Sequence, residues 1–303
     1  MKIKSGYVAI AGKPNVGKST FMNALLGTKL SITTNKAQTT RKRILGILDE
    51  DNYQIIFIDT PGILHPKYLL QKRMVEYIGA SVKDADVLLF MIDIASDPEG
   101  NSILKEKEVK EIIEATKAPK ILLINKIDLS NEISIGKLFN KINNLNIFKK
   151  IIPISATLGA NIQQVKDVIL EYLPVHPKYY PDDQLSDANE RFFVAEIIRE
   201  KIFEFYREEI PYSTEVIIDE FKERKKGKDF ISAVIIVERD SQKPIIIGKK
   251  GESIKKLGKI ARASIEEFLQ RPVYLEVRVK VRNKWRSDPL MLKRLGYNGV
   301  DEK

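Results

Sequence analysis

The stretch GKPNVGKST, from Gly12 to Thr20, decides how the first half of the chain folds. It fits the pattern G-x-x-x-x-G-K-[S/T], follows an apolar run and opens a helical pattern. In such a loop, backbone N–H groups point at phosphate oxygens. We expect Lys18 to neutralise β- and γ-phosphate oxygens and Ser19 to bind Mg²⁺. The predicted nucleotide-binding loop comprises Gly12, Lys13, Pro14, Asn15, Val16, Gly17, Lys18, Ser19 and Thr20.

Short apolar runs alternate with helical patterns throughout residues 1–173. This alternation is typical of an α/β domain with a mostly parallel sheet and helices on both faces. Ligand-binding loops in such sheets lie at the carboxyl ends of the strands. The predicted strands are Tyr7–Gly12, Gln54–Gly62, Ala85–Asp93, Pro119–Asp128 and Ile151–Ala156.

The second motif, DTPG, ends the second predicted strand and consists of Asp59, Thr60, Pro61 and Gly62. Asp59 can reach the Mg²⁺ shell through a water molecule, and the N–H group of Gly62 can sense the γ-phosphate. A lone D-x-x-G pattern fits many strand-end turns. Because it follows a phosphate-binding loop in the same sheet, we interpret all four residues as nucleotide-binding.

The base-binding motif is predicted at NKID, which includes Asn125, Lys126 and Asp128. Asp128 can accept hydrogen bonds from N1–H and the exocyclic N2–H₂ of guanine. Adenine lacks this donor pair, so the carboxylate would stay unsatisfied with ATP. Asn125 would tie the base loop to the phosphate loop, and Lys126 would cover the ring. Ser155–Ala156 alone fit a capped turn, but their position favours a backbone N–H bond to guanine O6.

A proline-rich stretch, 174–186, is predicted to link this domain to one of different organisation at 187–282. The second domain has the predicted order helix, strand, strand, helix, helix, strand, and its first helix is predicted to start with a capping box of Asp187 and Glu190. Residues 283–303 form a basic tail with a short helix. Its Trp285 either stacks on a base or anchors the tail, and anchoring is favoured.

The turn Gly248-Lys249-Lys250-Gly251 lies between the two consecutive helices of the second domain. A G-x-x-G turn at a helix start brings backbone N–H groups and two lysines against a nucleic-acid backbone. Together with the strand order, the segment resembles a KH domain of type II topology. The predicted RNA-binding residues are Ile247, Gly248, Lys249, Lys250, Gly251, Lys255, Lys256, Lys259 and Arg262.

The charge of the chain is unevenly distributed. Residues 239–294 contain 16 Lys or Arg and 6 Asp or Glu, which accounts for the whole net charge of +10. This indicates that the C-terminal part faces a polyanion. The chain has no cysteine, which excludes disulfides, thiolate metal sites and cysteine nucleophiles. No apolar run is long enough for a signal peptide or a membrane span, so we expect a cytoplasmic protein.

Five segments together resemble the Era family of bacterial GTPases over almost the entire chain: GKPNVGKS, SITTNKAQTTR, DTPG, NKID and IIGKKG. The resemblance implies a GTPase that binds the 3′ end region of small-subunit (16S) ribosomal RNA and assists 30S subunit maturation, with GTP or GDP and Mg²⁺ as cofactors. It also implies a monomer and peripheral contact with the inner face of the cell membrane.

The resemblance also implies catalytic roles for Lys18, Thr40, Gly62 and Asn15. Thr40, in the polar segment Ser31–Arg43, would complete the Mg²⁺ shell, with Thr39 as the alternative. Asn15 would help to bind a monovalent cation such as K⁺, or would merely tolerate a tight turn. The position after Gly62 holds Ile63, which cannot orient water as the glutamine of Ras-like enzymes does.

The mechanism expected from these features is a switch. GTP would order Ser31–Arg43 and the segment after Gly62, reorient the KH domain through the linker and expose its RNA groove. Two rivals compete with it. One is a passive RNA chaperone in which GTP binding is only structural, and the other is an ATP-using enzyme, which Asp128 argues against.

Overall fold

The computed structural model describes Lys2–Gly299, so Met1 and the last four residues of the predicted tail lie outside the described residues. The chain divides into two compact units. The first contains residues up to 67 together with 71–187, and the second contains 68–70 and 188–298. The predicted change of organisation near Asp187 therefore coincides with the boundary between the units.

The first unit is built on a six-stranded sheet with the order β2-β3-β1-β4-β5-β6. All neighbouring strands are parallel except β2, which pairs antiparallel with β3. The strands are β1 Lys4–Gly12, β2 Ile44–Glu50, β3 Tyr53–Asp59, β4 Val87–Asp93, β5 Lys120–Asn125 and β6 Lys150–Pro153. The helices are α1 Lys18–Leu26, α2 Leu69–Asp84, α3 Asn101–Lys105, α4 Lys107–Glu114, α5 Glu132–Asn143 and α6 Ile162–Tyr172.

All five predicted strands of this unit are present, with shifted ends. The predicted strands ending at Gly62, Asp128 and Ala156 stop earlier, so the motif residues beyond them lie in loops. Strand β2 was not predicted. The central strands β3 and β4 are buried along their whole lengths, as expected for strands covered on both faces.

The second unit has a three-stranded sheet, β7-β8-β9, in which β9 runs parallel to β8. Helices α7 and α10 share one hydrophobic core with one face of this sheet, and the valine and leucine side chains of β9 pack into it. The order predicted from the sequence is confirmed, with one extra short helix, α8. The elements are α7 Glu190–Phe205, α8 Ile210–Ser213, β7 Thr214–Lys222, β8 Asp229–Val237, α9 Gln242–Ile247, α10 Glu252–Leu269, β9 Val273–Val281 and α11 Pro289–Arg294.

The predicted start of α7 is wrong. Its N-cap is Asn189, whose side chain accepts a hydrogen bond from the N–H of Phe192, so Asp187 and Glu190 form no capping box. On α10, Leu257, Ala261 and Ile265 are buried and Phe268 packs against the core, whereas Ile254 lies outside the core cluster.

Trp285 anchors the tail. Its indole is fully buried, and its Nε1–H donates to the carbonyl of Ser213 at 2.9 Å. Further along, the Tyr297 hydroxyl donates to the carboxylate of Glu215 at 2.6 Å. Because the indole is inaccessible, the base-stacking alternative for Trp285 is wrong.

Residues 174–186, the predicted linker, are hydrogen-bonded to the sheet of the first unit. Gln54 on β3 is the main anchor and is fully buried. Its Oε1 accepts the N–H groups of Tyr179 and Tyr180, and its Nε2 donates to Asp49 and to the Tyr180 carbonyl, all at 2.8–2.9 Å. Farther along, Leu185 and Ser186 bond to the backbone of β2.

We expect Gln54→Ala to loosen this segment, because two backbone N–H groups would lose their buried acceptor. The free energy of unfolding should fall by about 1–3 kcal/mol, and amide exchange at Tyr179 and Tyr180 should accelerate. Urea denaturation and hydrogen exchange measure both effects. Gln163→Ala, which removes a single exposed hydrogen bond to Asp167, is the control. Unchanged exchange at both tyrosines would contradict the anchoring role.

Candidate functional site

A cavity of about 410 Å³ opens at the carboxyl ends of the strands of the first unit. Its walls come from the phosphate loop, from the segment between α1 and β2, and from the loops that follow β3, β5 and β6. The lining residues are Pro14, Asn15, Gly17, Lys18, Ser19, Thr20, Ile32, Thr33, Thr34, Asn35, Lys36, Gln38, Thr39, Thr40, Gly62, Asn125, Lys126, Ala156 and Thr157. Most of the predicted nucleotide-binding residues therefore converge on one cavity.

The glycines of the phosphate loop are required by its geometry. Gly17 has φ +103°, and a Cβ atom there would lie 2.2 Å from Asn125 Nδ2. At Gly12, with φ +154°, it would lie 2.3 Å from the carbonyl oxygen of Met91. Both positions combine positive φ with a close approach to a neighbouring strand, which only glycine tolerates. The loop is thus held in its shape by packing against β4 and β5.

Lys18 is buried at the centre of this loop, and its Nζ donates to the carbonyls of Gly12 at 3.2 Å and Lys13 at 2.9 Å. Burial lowers the pKa of Lys18 to about 8, while the charge of Asp59 acts in the opposite direction. A buried ammonium group held by two carbonyls is well placed to meet phosphate oxygens, which would supply the missing negative charge.

Ser19, Thr40 and Asp59 meet at one point. Asp59 Oδ2 accepts from Ser19 Oγ at 2.7 Å and from Thr40 Oγ1 at 3.4 Å, and the two hydroxyl oxygens are 3.0 Å apart. Asp59 is fully buried, and its Oδ1 has no hydrogen-bond partner among the described residues. Burial raises the pKa of Asp59, against the opposing effects of Ser19 and Lys18. Two hydroxyls and an unsatisfied buried carboxylate oxygen fit a Mg²⁺ ion, which prefers oxygen ligands.

Thr39 also lines the cavity, but its hydroxyl is engaged elsewhere in the same loop. It donates to the carbonyl of Lys36 at 2.7 Å and bonds to the hydroxyl of Thr34. Of the two threonines weighed from the sequence, the structure places Thr40 next to Ser19 and Asp59.

The Asn125 side chain joins three loops. Its Nδ2 donates to the carbonyl of Val16 at 2.7 Å, and its Oδ1 accepts from the N–H of Ala156 at 3.0 Å. Lys126 pairs with Asp93 at 2.8 Å. The predicted tie between the base loop and the phosphate loop is therefore present, and Asn125 also fixes the loop after β6.

Asp128 is exposed and does not line the cavity. Its Oδ1 accepts from Ser155 Oγ at 2.5 Å, and Ser155 Oγ also accepts from the N–H of Leu158. Two of the base-loop residues thus hold each other at the rim, with Thr157 beside them in the wall. Thr157 was missed because no motif extends beyond Ala156.

Gly62 and Ile63 close the cavity near the phosphate loop. A Cβ atom on Gly62 would lie 2.6 Å from the backbone nitrogen of Pro14, and the N–H of Ile63 donates to the Gly12 carbonyl at 3.0 Å. The side chain of Ile63 is buried in the hydrophobic core. Asn15 has φ +64°, and its Nδ2 donates to the Asn35 carbonyl at 3.1 Å. Asn15 therefore occupies a left-handed turn position, and its amide reaches the loop that carries Thr40.

Three of the four residues of the G-x-x-G turn have positive φ: Gly248 at +73°, Lys250 at +50° and Gly251 at +79°. A Cβ atom on Gly248 would lie 2.2 Å from Ser253 Oγ. Open space surrounds Gly251, so a ligand backbone can approach it closely. The predicted basic side chains of the turn and of α10 are all exposed: Lys249, Lys250, Lys255, Lys256, Lys259 and Arg262. Two apolar residues of the helices on either side of the turn are also exposed, Ile245 in α9 and Ile260 in α10.

Two protein-family models match the chain. The family model "50S ribosome-binding GTPase" matches residues 7–126, and the KH domain model matches residues 209–286. GTPase Era of Geobacter sp. (strain M21) is 47% identical over 98% of each chain. The chain belongs to the Era family of GTPases. It is therefore a GTP-hydrolysing enzyme, and the family and fold class predicted from the sequence are confirmed.

Era relatives extend beyond bacteria and include solved structures. The chloroplastic GTPase ERA-like protein of Oryza sativa subsp. japonica is 46% identical over 98% of this chain and 70% of its own length. The crystal structure of an Era protein with MgGDPNP and nucleotides 1506–1542 of 16S ribosomal RNA is 44% identical, covers 97% of this chain and 99% of its own, and superposes with a TM-score of 0.91. A variant of Aquifex aeolicus Era bound to GDP·AlF₄⁻, also 44% identical, covers the same shares with a TM-score of 0.90.

Among residues 2–299, no helix combines the length and apolar character needed to cross a membrane.

Substitution of Asn125 by Ala should release three loops at once. We expect guanine-nucleotide affinity to fall by about 10- to 100-fold, because one buried donor and one buried acceptor lose their partners. Titration with a fluorescent guanine nucleotide measures the change. Asn143→Ala, at an exposed position at the end of α5, should leave affinity unchanged. Equal affinities of both variants and the unsubstituted protein would refute the bridging role.

Proposed function

We propose that this Era-family GTPase is a GTP-dependent switch that binds the 3′ end region of small-subunit ribosomal RNA and assists maturation of the 30S subunit. One observation carries the proposal. A relative that is 44% identical over 97% of this chain holds a GTP analogue, magnesium and that RNA segment in one crystal structure. The chain carries the residues for both ligands in separate units, a phosphate loop in the first and a G-x-x-G turn in the second.

The proposed magnesium ligands are Ser19 and Thr40 directly and Asp59 through water. When bound, Mg²⁺ would neutralise charge on the β- and γ-phosphates and help to position them. Lys18 would donate to the same phosphates from its buried position, and the N–H of Gly62 would sense the γ-phosphate. Ile63 points into the core, so water must be oriented by other groups of the cavity. The remaining residues of the two loops, Gly12–Thr20 and Asp59–Gly62, would bind the phosphates through main-chain groups.

Guanine selectivity is assigned to the rim of the cavity. Asp128 is exposed until a base covers it, and Ser155 holds its carboxylate in place. A guanine base would bring two donors to this carboxylate and bury it, whereas adenine would bury it without donors. The N–H of Ala156 is already used by Asn125 Oδ1. A hydrogen bond to guanine O6 therefore requires either that the Ala156 N–H is shared between Asn125 Oδ1 and O6, or that Thr157 donates to O6 instead.

The nucleotide would be coupled to the RNA-binding domain through β2. Thr40 lies four residues before the first residue of β2, Ile44, and the proposed linker bonds to the same strand. The N–H of Ile47 donates to the Leu185 carbonyl at 2.9 Å, and Ser186 Oγ donates to the Leu45 carbonyl at 2.6 Å. If a γ-phosphate draws Thr40 toward Mg²⁺, β2 would be displaced with Thr40. The linker would move with β2, because it is hydrogen-bonded to that strand.

RNA affinity tests this switch. With RNA of the sequence 1506–1542, we expect binding to be at least about fivefold tighter with a GTP analogue than with GDP. In Lys18→Ala the difference in RNA affinity between the two nucleotide states should vanish, since the phosphates lose their contact with the lysine. Equal RNA affinity in both nucleotide states of the unsubstituted protein would overturn the switch. Preserved RNA-linked function in Lys18→Ala at unchanged fold stability would favour the passive chaperone.

A monovalent cation at Asn15 is the proposed substitute for an arginine finger. We expect slow intrinsic GTP hydrolysis that is at least about tenfold faster in KCl than in NaCl at equal ionic strength. Asn15→Asp preserves the turn, because Asp also tolerates positive φ, but it adds charge beside the phosphates and should remove the K⁺ preference. The proposed cation site would be refuted if GTP hydrolysis were equally fast in KCl and NaCl and Asn15→Asp behaved like the unsubstituted enzyme.

The family resemblance alone supports the remaining assignments. We propose that the chain acts as a monomer in the cytoplasm and that any contact with the inner face of the cell membrane is peripheral. We also propose residues 1–173, 174–186, 187–282 and 283–303 as GTPase domain, linker, KH domain and tail.

A further inference from the structure

The turn between β7 and β8 is a strongly basic hairpin that the proposed function does not use. All residues from Lys222 to Lys228 are exposed, and five of the seven are Lys or Arg against one acidic residue. Lys222 pairs with Glu220. Lys225, Lys226 and Lys228 form no ion pair with any described residue. Three uncompensated positive charges therefore stand at the tip of this turn.

The base of the hairpin is fixed by ionic contacts to the buried Asp229 and the partly exposed Arg271 and Glu190. Asp229 Oδ1 accepts the N–H of Arg224 at 2.8 Å, and Asp229 Oδ2 accepts from Arg271 Nε. The same guanidinium donates through its two other nitrogens to both carboxylate oxygens of Glu190 at the start of α7. Because a bidentate pair orients both partners, the lysines project from a rigid support.

An aromatic pair lies directly beside this support. Phe230 on β8 and Tyr274 on β9 are paired in the sheet register, and their rings stack with centroids 6.0 Å apart and planes at 15°. Their sequence neighbours Ile231 and Leu275 pack into the core, so the two rings lie on the opposite face of the sheet. Tyr274 is 58% exposed. Stacking against Phe230 limits its motion and leaves ring surface open to a ligand.

The basic hairpin and the aromatic pair lie far from the G-x-x-G turn. Helix α10 begins at that turn and leads back to the start of β9, where Tyr274 is located. Its 18 residues span about 27 Å. The tail contacts the sheet at the other end, where Tyr297 bonds to Glu215, opposite the C-terminal part of β8. The end that carries the basic hairpin and the aromatic pair therefore remains open.

We propose that the basic hairpin, Lys222–Lys228, and the Phe230–Tyr274 pair form a second RNA-binding surface for an RNA segment outside the G-x-x-G groove. This inference rests on the proposed RNA-binding function and extends it. Phosphates contact the lysines, and a base stacks on Tyr274, a combination that holds RNA without sequence readout. A membrane surface is less suited to it, because the residues of the turn include no large apolar side chain to insert.

The test compares two RNA lengths and two charge-matched variants. The long probe is RNA of the sequence 1506–1542, and the short probe is its 3′-terminal third. The hairpin variant carries Lys225→Gln, Lys226→Gln and Lys228→Gln. The control variant carries Lys105→Gln, Lys110→Gln and Lys117→Gln, three exposed lysines of the first unit. We expect the hairpin variant to bind the long probe roughly tenfold more weakly and to reduce the slope of log affinity against log salt by about 2. The short probe and the control variant should show no change.

Tyr274 gives an independent reading. Tyr274→Ala should weaken binding of the long probe roughly tenfold through lost stacking, and Tyr274→Phe should restore it, because the ring and not the hydroxyl makes the contact. A purely structural role of the hydroxyl would make the Phe variant as weak as the Ala variant and would overturn this part.

The remaining outcomes are distinct. If the unsubstituted protein binds neither probe, the proposed RNA function itself fails. If it binds both probes and the hairpin variant matches the control variant, the second surface is wrong while the proposed function stands. Equal losses on the short and long probes would also refute a separate surface. If the hairpin variant loses binding to vesicles with anionic lipid but keeps its RNA affinity, the surface serves a membrane and our proposal is overturned.

Discussion

The first unit depends on one side chain, the amide of Asn125, which spans the phosphate loop and the loop after β6. Its donor satisfies the carbonyl of Val16, and its acceptor satisfies the N–H of Ala156. Both groups are buried, where an unsatisfied backbone group is costly. The amide can approach this closely only because Gly17 lacks a Cβ atom. The loops that would hold phosphate and base are therefore mutually positioned before any ligand arrives, so less ordering has to accompany binding.

The charged groups of the cavity, in contrast to Asn125, destabilise the protein when no ligand is bound. Burial shifts the pKa of Lys18 downward and that of Asp59 upward, so each is driven toward its neutral form. Their mutual attraction opposes these shifts only in part. Phosphate would supply the opposite charge that Lys18 lacks, and a divalent cation the one that Asp59 lacks. Because both side chains are already desolvated in the protein, binding would not add that cost again. A rigid frame around two poorly solvated charges would favour binding of a triphosphate and make the site sensitive to its loss.

The sequence predicted most reliably those features that depend on backbone geometry at fixed positions. Gly12, Gly17 and Gly248 occupy positions where a side chain would collide, and the motifs that contain them were found in place. The errors arose where distant contacts decide. Helix α7 begins at Glu190 rather than at Asp187, because Leu185 and Ser186 are bonded to β2 and the chain can turn into a helix only afterwards. Strand β2 was missed because its run of apolar residues has no clear alternation, and its pairing with β3 supplies the order.

Counting charges along the chain was informative but misplaced part of the positive surface. Arg271, Arg278 and Arg286 all lie within the basic region 239–294, yet each is paired with a nearby carboxylate. A paired guanidinium is held in place and contributes little to the field at a distance. Among the described residues, no carboxylate pairs with the lysines of the G-x-x-G turn or with Lys225, Lys226 and Lys228 at the tip of the basic hairpin, which precedes the region counted. These two groups of lysines lie at separate ends of one small sheet, and under our proposal an RNA longer than a single groove would engage both.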